Sequence, residues 1–156
     1  MNKQIVVIGA GNPCRGDDAV GGEFSRRLKR RSPADVTIVE MDGDPTGLME
    51  AWADADVAFV VDAVYSDAAA GRIFRFEAHD GPIPAEAFRL STHAFGVAEV
   101  IELARNLDRL PPRLVVYGIR GDRFEHEDEL SPQVDDACDA VVLCVLEEIR
   151  ELRADV

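Results

Sequence analysis

Four short runs of the chain consist almost wholly of β-branched and other apolar residues. They are Ile5-Val6-Val7-Ile8, Val36-Thr37-Ile38-Val39, Val57-Ala58-Phe59-Val60-Val61 and Leu114-Val115-Val116-Tyr117. Runs of this length without polar alternation suit strands buried on both faces, as in a parallel sheet covered by helices. A fifth run, Arg72-Ile73-Phe74-Arg75-Phe76, mixes charge with apolar residues and follows the third strand after a short connection. It reads as an edge strand, with antiparallel pairing the expectation.

Helical periods fill the intervals. The first helix is expected to start near Asp17 and to end in the basic cluster 26–31, an order of acids and bases that favours the helix dipole. That cluster is read as a solvated helix end. Two further helices are expected over 48–55 and 96–107. The last opens at Ser131-Pro132, a capping residue followed by proline at the first helical position. From there Val134, Ala137, Val141, Val145, Ile149 and Leu152 recur at three- and four-residue spacing and make one apolar face. Cys138 and Cys144, within or beside that face, read as small core residues. The alternation predicts a three-layer α/β/α fold around a mostly parallel, twisted sheet of about five strands. The whole of 1–156 is expected to form one domain. Ligands of such sheets bind beyond the carboxyl ends of the strands, near a topological switch point.

Composition narrows the class of partner. The 156 residues are 47% hydrophobic and 30% charged, ordinary for a globular protein, with a formal net charge of −13. That balance argues against nucleic acid or an anionic membrane as the main partner. Residues 121–156 hold 12 acidic and 3 basic residues, so most of the excess lies in the final loop and helix. The amino-terminal apolar run spans only 5–10 and reads as a strand rather than a signal peptide. Cys14, Cys138 and Cys144 form no CxxC pair. A reduced, cytoplasmic protein is the expectation.

The informative polar residues follow the strands. After the first comes Gly9-Ala10-Gly11-Asn12-Pro13-Cys14-Arg15-Gly16-Asp17-Asp18. As a dinucleotide fingerprint this is weak, because Cys14 stands where a third glycine belongs. Two carboxylates at the helix start also compete with a phosphate for the same field, so a cation suits the place better. The second strand ends in Met41-Asp42-Gly43-Asp44-Pro45, and the third in Asp62. An aspartate closing an apolar strand is costly unless it is paired, hydrogen-bonded or metal-bound. His93 precedes the third helix, whereas His79 and His126 lie in polar stretches and read as solvent residues. Two carboxylates and an imidazole make an incomplete shell suited to a borderline divalent ion, zinc or nickel. No serine or cysteine triad is evident, and Cys14 has no histidine near it in sequence.

Taken in order, these features resemble the hydrogenase maturation endopeptidases. They are GxGN with an acidic pair, an Asp-Gly turn after the second strand, Asp62-Ala63 after the third, and Ser91-x-His93 before a helix. The likeness runs over 9–119. It implies a cytoplasmic endopeptidase that removes the C-terminal extension of a nickel–iron hydrogenase large-subunit precursor after nickel insertion. The nickel already held by the precursor serves as the recognition element. Carried onto this chain, the metal-contacting residues are Asp18, Asp62 and His93. Asp42 lies near the cleavage site as a further catalytic residue, and Gly9, Gly11 and Asn12 shape the loop at the metal. Zinc is an alternative occupant, the precursor is the expected partner, and the protein is expected to act as a monomer. Two departures from the family pattern bear on which precursor is processed. Asp44 replaces a second glycine and adds a carboxylate near the site, and Arg120-Gly121-Asp122-Arg123-Phe124 replaces a proline-containing turn. The competing readings are a nucleotide- or dinucleotide-binding domain on the Gly9–Gly11 loop and a non-catalytic hydrogenase assembly factor.

Overall fold

The computed structural model describes residues 3–12, 16–31, 33–42, 44–66, 68–84, 96–122, 124 and 129–154. Among them, four helices pack on a five-stranded sheet. The strands are β1 (Ile5–Ala10), β2 (Val36–Met41), β3 (Val57–Val64), β4 (Ile73–Glu77) and β5 (Arg113–Arg120). The helices are α1 (Val20–Arg30), α2 (Pro45–Trp52), α3 (Val97–Asn106) and α4 (Pro132–Ala154). The strand order is β2-β1-β3-β5-β4, parallel throughout except for β4, which runs antiparallel to β5 at one edge. The predicted α/β sheet and its antiparallel edge strand are thus both present.

Alternation along the strands divides the core into two layers. Val7, Phe59, Val61, Val115 and Tyr117 meet Val20, Phe24 and Leu28 of α1 and the apolar stripe of α4 on one face. On the other, Val6, Ile8, Ala58, Val60 and Val116 meet Leu48, Met49 and Trp52 of α2 and Val97, Val100, Ile101 and Ala104 of α3. The chain leaves β1 for β2 on one side and returns to β3 on the other. The switch point therefore lies between the carboxyl ends of β1 and β3, which pair through Gly9 and Val61.

Several local expectations are corrected by packing. The basic cluster is not merely a solvated helix end. Arg27 donates to Glu23 (3.0 Å), to Asp139 (2.9 Å) and to Asp135, so it ties α1 to α4, and Arg26 pairs with Glu40 of β2 at 2.8 Å. Helix α2 starts earlier than 48 because Asp44 caps it, accepting the Gly47 N–H at 2.9 Å with Pro45 in the first turn. Cys138 is buried, which pushes its thiol up to about 12 and leaves it inert at neutral pH. Cys144 is exposed instead, because it lies off the stripe marked by Val134, Val141 and Val145. No helix among the described residues is long and apolar enough to cross a membrane.

The end of β1 is pressed against α1 and the single 3₁₀ turn that precedes it, Gly16–Ala19. A Cβ on Gly9 would stand 1.9 Å from the Gly21 carbonyl oxygen and 2.2 Å from Ser25 Oγ. Since the first of these is backbone inside a helix, it cannot swing aside. Gly9→Ala is therefore expected to lower the urea-unfolding free energy by about 3 kcal/mol. Gly81→Ala, with nothing within 4 Å of the added carbon, should stay within about 0.5 kcal/mol of the parent. Equal stabilities for the two variants would show that this close approach is not what joins β1 to α1.

Candidate active site

Asp18 and Asp62 come together at the switch point. Asp18 lies in the 3₁₀ turn that follows β1, and its side chain is folded back so that Oδ2 accepts the Asn12 N–H at 3.2 Å. Gly11 makes this possible. Its φ of 139° and the 2.0 Å separation between an added Cβ and the Asp18 carbonyl oxygen leave room for glycine alone. Gly11 N–H also donates to the Met41 carbonyl at 3.0 Å, which fixes the loop to the end of β2. The GxGN stretch thus receives a carboxylate of its own chain where a dinucleotide reading would put a phosphate.

Asp62 sits inside β3 opposite Gly118 of β5. By strand alternation it shares the α2–α3 face with Ala58 and Val60, and its β5 neighbour offers no side chain to cover it. Both carboxylates are buried, Asp18 at 3% and Asp62 at 6% relative exposure. Burial, and then the charge of Asp18, push Asp62 well above the ordinary carboxylate range, against the opposing pull of the Ala63 N–H at 2.9 Å. Among the described residues that amide makes the one hydrogen bond given to the Asp62 carboxylate. Two acids held out of water beside each other are a place where a cation would relieve both burial and repulsion.

Asp42 occupies a different position. It is exposed just beyond β2, and its Oδ1 accepts the Asp44 N–H at 3.1 Å. A groove of about 220 Å³ runs between Gly9, Gly11 and Ala19 on one side and Glu40, Met41 and Asp42 on the other. Asp42 therefore shares a groove with the glycine loop that holds Asp18. Asp44, expected to add a charge to the site, spends its carboxylate on the α2 cap. His93 lies outside the described residues, as do Cys14 and His126. Among the described residues no three His, Cys, Asp or Glu side chains gather as a metal site. Of the expected site acids, Asp18 and Asp62 are the two that the described structure brings together in the buried interior. His79 is not a solvent residue. It is half-buried, and its Nδ1 accepts the Leu114 N–H at 3.0 Å, extending the pairing of the β4 end with β5.

Asp17 proves unlike its neighbour. It is fully buried, and its oxygens accept from Asp122 N–H, Ser131 N–H and Ser131 O–H, each at 2.7 Å. The end of β5 and the loop after it carry two more ties not expected from the sequence. Arg120 Nε donates to the Ser66 carbonyl at 3.0 Å, and Phe124 stacks on Tyr65 with ring centroids 4.0 Å apart. Only the departure of 120–124 from the family pattern marked this loop in advance.

Comparison with known proteins bears on what this arrangement serves. A family model described as hydrogenase maturation protease matches residues 20–148. The hydrogenase expression/formation protein HupD of Bradyrhizobium diazoefficiens is 28% identical over 149 residues, covering 88% of this chain and 78% of that protein. The hydrogenase 2 maturation protease of Escherichia coli is 26% identical over 151 residues, covering 95% and 92%. The solved structure of the hydrogenase maturating endopeptidase HybD from E. coli superposes with a TM-score of 0.78. Its identity is 27%, and the match covers 97% of this chain and 93% of that one.

The raised Asp62 fixes the sign of a pH effect. Its proton is held more tightly in the folded than in the unfolded chain, so this contribution to stability is complete at acid pH and is lost as pH rises through the folded value. Asp62→Asn removes the ionisation. Near neutral pH the metal-free variant is therefore expected to be more stable than the parent by roughly 1–3 kcal/mol, with the gap closing below pH 4. Thermal melts of both proteins across that range measure it. Parallel curves at constant separation would contradict the burial argument.

Proposed function

The chain belongs to the hydrogenase maturation protease family, and we propose that it is a cytoplasmic endopeptidase acting on the precursor of a nickel–iron hydrogenase large subunit. In this reading it hydrolyses the peptide bond ahead of the precursor's C-terminal extension once nickel has been inserted. The observation that carries the reading is the buried Asp18–Asp62 pair at the switch point, two carboxylates whose mutual repulsion a divalent ion relieves. The nickel belongs to the precursor and is part of the substrate.

Asp18, Asp62 and His93 take the open positions on that ion and hold the precursor in one orientation. Carboxylate and imidazole suit nickel and also zinc, so the donor set is permissive toward the metal. Discrimination then depends on the precursor that presents it. Fixing the metal fixes the nearby peptide, which converts docking into orientation of the scissile bond. The groove from the glycine loop to Asp42 takes the extended chain, and Asp42 lies beside the bond to be cut. Hydrolysis forms a bond from water oxygen to the carbonyl carbon and breaks the C–N bond, with the proton passing to the leaving amine. Gly9, Gly11 and Asn12 act one step back, by shaping the loop that aims Asp18. The protein is read as a monomer in this role.

The test is co-expression with each hydrogenase large-subunit precursor of the source genome, followed by mass measurement of the precursor C-terminus. One nickel-loaded precursor is expected to lose its extension. Every precursor remaining intact despite nickel loading would overturn the reading. Asp62→Asn and His93→Ala are expected to slow cleavage by about 100-fold or more, since each removes a metal contact. Unchanged processing in both would remove the proposed ligand set even if the protease assignment stood.

A further inference from the structure

We propose that Asp17 is a positioning residue: its buried carboxylate locks the turn that carries Asp18, and through the loop after β5 it sets that turn against the Asp62 end of β3. The inference rests on the reading of Asp18 and Asp62 given above.

The geometry is a closed circuit. Asp17 Oδ1 accepts the Ser131 N–H, and Oδ2 accepts the Asp122 N–H and the Ser131 O–H, all at 2.7 Å. These partners are 105 and 114 residues away in sequence, so the bonds are tertiary ties and not local turn chemistry. Gly121, next to Asp122, donates its N–H to the Val64 carbonyl at 3.1 Å, two residues beyond Asp62. A Cβ on Gly121 would lie 3.0 Å from Asp17 Cβ, so the loop passes directly over the turn. On the far side Ser131 heads α4, its carbonyl accepting the Asp135 N–H at 2.9 Å. The carboxylate thereby joins the turn, the β5 loop and the α4 start, and Gly121 carries the loop on to the β3 end.

Among the described residues the three bonds at Asp17 all run from donor to carboxylate, which suits a group that only accepts. A carboxylate has two acceptor oxygens for it, whereas an asparagine turns a donating NH₂ toward donors already there. The turn spans only Gly16–Ala19. A rotation that relieves this clash at Asp17 carries the adjacent Asp18 with it and lengthens the Asn12 N–H to Asp18 Oδ2 bond. A plain helix cap on α4 would need Ser131 alone; recruitment of the Asp122 N–H to the same carboxylate links the cap to the site.

The test compares Asp17→Asn and Ser131→Ala with the parent, as full-length proteins, by two readouts. The first is amide hydrogen exchange of Asn12 by NMR, with Val60 in the sheet as an internal control. Loss of the lock is expected to speed Asn12 exchange by about ten-fold or more in Asp17→Asn and by less in Ser131→Ala, leaving Val60 unchanged. Unchanged Asn12 exchange in the folded variants overturns the proposal. Should Asp17→Asn fail to fold, Ser131→Ala decides by the same criterion, since it removes one bond and keeps both amide donors. The second readout is steady-state cleavage of the nickel-loaded precursor. A misaimed Asp18 is expected to raise KM by about ten-fold, whereas a destabilised but correctly built site loses active fraction and lowers kcat at constant KM. The latter result overturns the positioning role. If the parent cleaves no precursor, the protease reading fails, and Asn12 exchange alone still settles whether Asp17 sets Asp18.

Discussion

At the carboxyl end of β1 the backbone passes so close to the following turn and helix that no side chain fits at Gly9 or Gly11, and the rest of the site depends on that approach. It brings the 3₁₀ turn over the sheet, folds Asp18 back onto the Asn12 amide, and sets it near Asp62 of the neighbouring parallel strand. Parallel pairing of β1 and β3 supplies the second half, because it delivers both strand ends to the same rim. Two acids are then held out of water where their charges oppose each other, a cost of order kcal/mol that the fold bears.

Much of this frame was legible in the sequence, for physical reasons that differ by element. The four parallel strands announced themselves because burial on both faces admits only apolar residues. Strand β4 did so because its mixed run betrays an edge. Asp62 stands out as the polar residue closing an apolar run, although the strand continues two residues past it to Val64. Residue type and spacing alone do not divide the pair Asp17-Asp18; only the family resemblance singles out Asp18. The two residues share a type and a turn, yet one is spent on Asp122 and Ser131 more than 100 residues away and the other faces Asp62. Long-range hydrogen bonds leave no periodic trace.

The same limit explains the other corrections. Asp44 looked like a site acid and is a helix cap, a local role disguised by its proximity to Asp42. His79 looked solvated because its neighbours are polar, but the turn after β4 brings its ring onto the Leu114 amide. Arg27 belonged to a basic run that reads as a helix end, while its partners lie on α4. That contact also revises the meaning of the acidic excess. Asp135 and Asp139 serve α1, and Glu148 serves Arg75 and the Tyr117 hydroxyl, so part of the negative charge is structural pairing.

In the proposed complex Asp18 and Asp62 touch the nickel of the precursor. Nickel K-edge X-ray absorption addresses this contact directly, on the nickel-loaded precursor alone and on the same precursor frozen immediately after mixing with this protein. Mixing is expected to add oxygen or nitrogen neighbours to the nickel, and a protein with Asp18 and Asp62 both replaced by alanine is expected to add fewer. A nickel spectrum unchanged by the bound protein would contradict the contact.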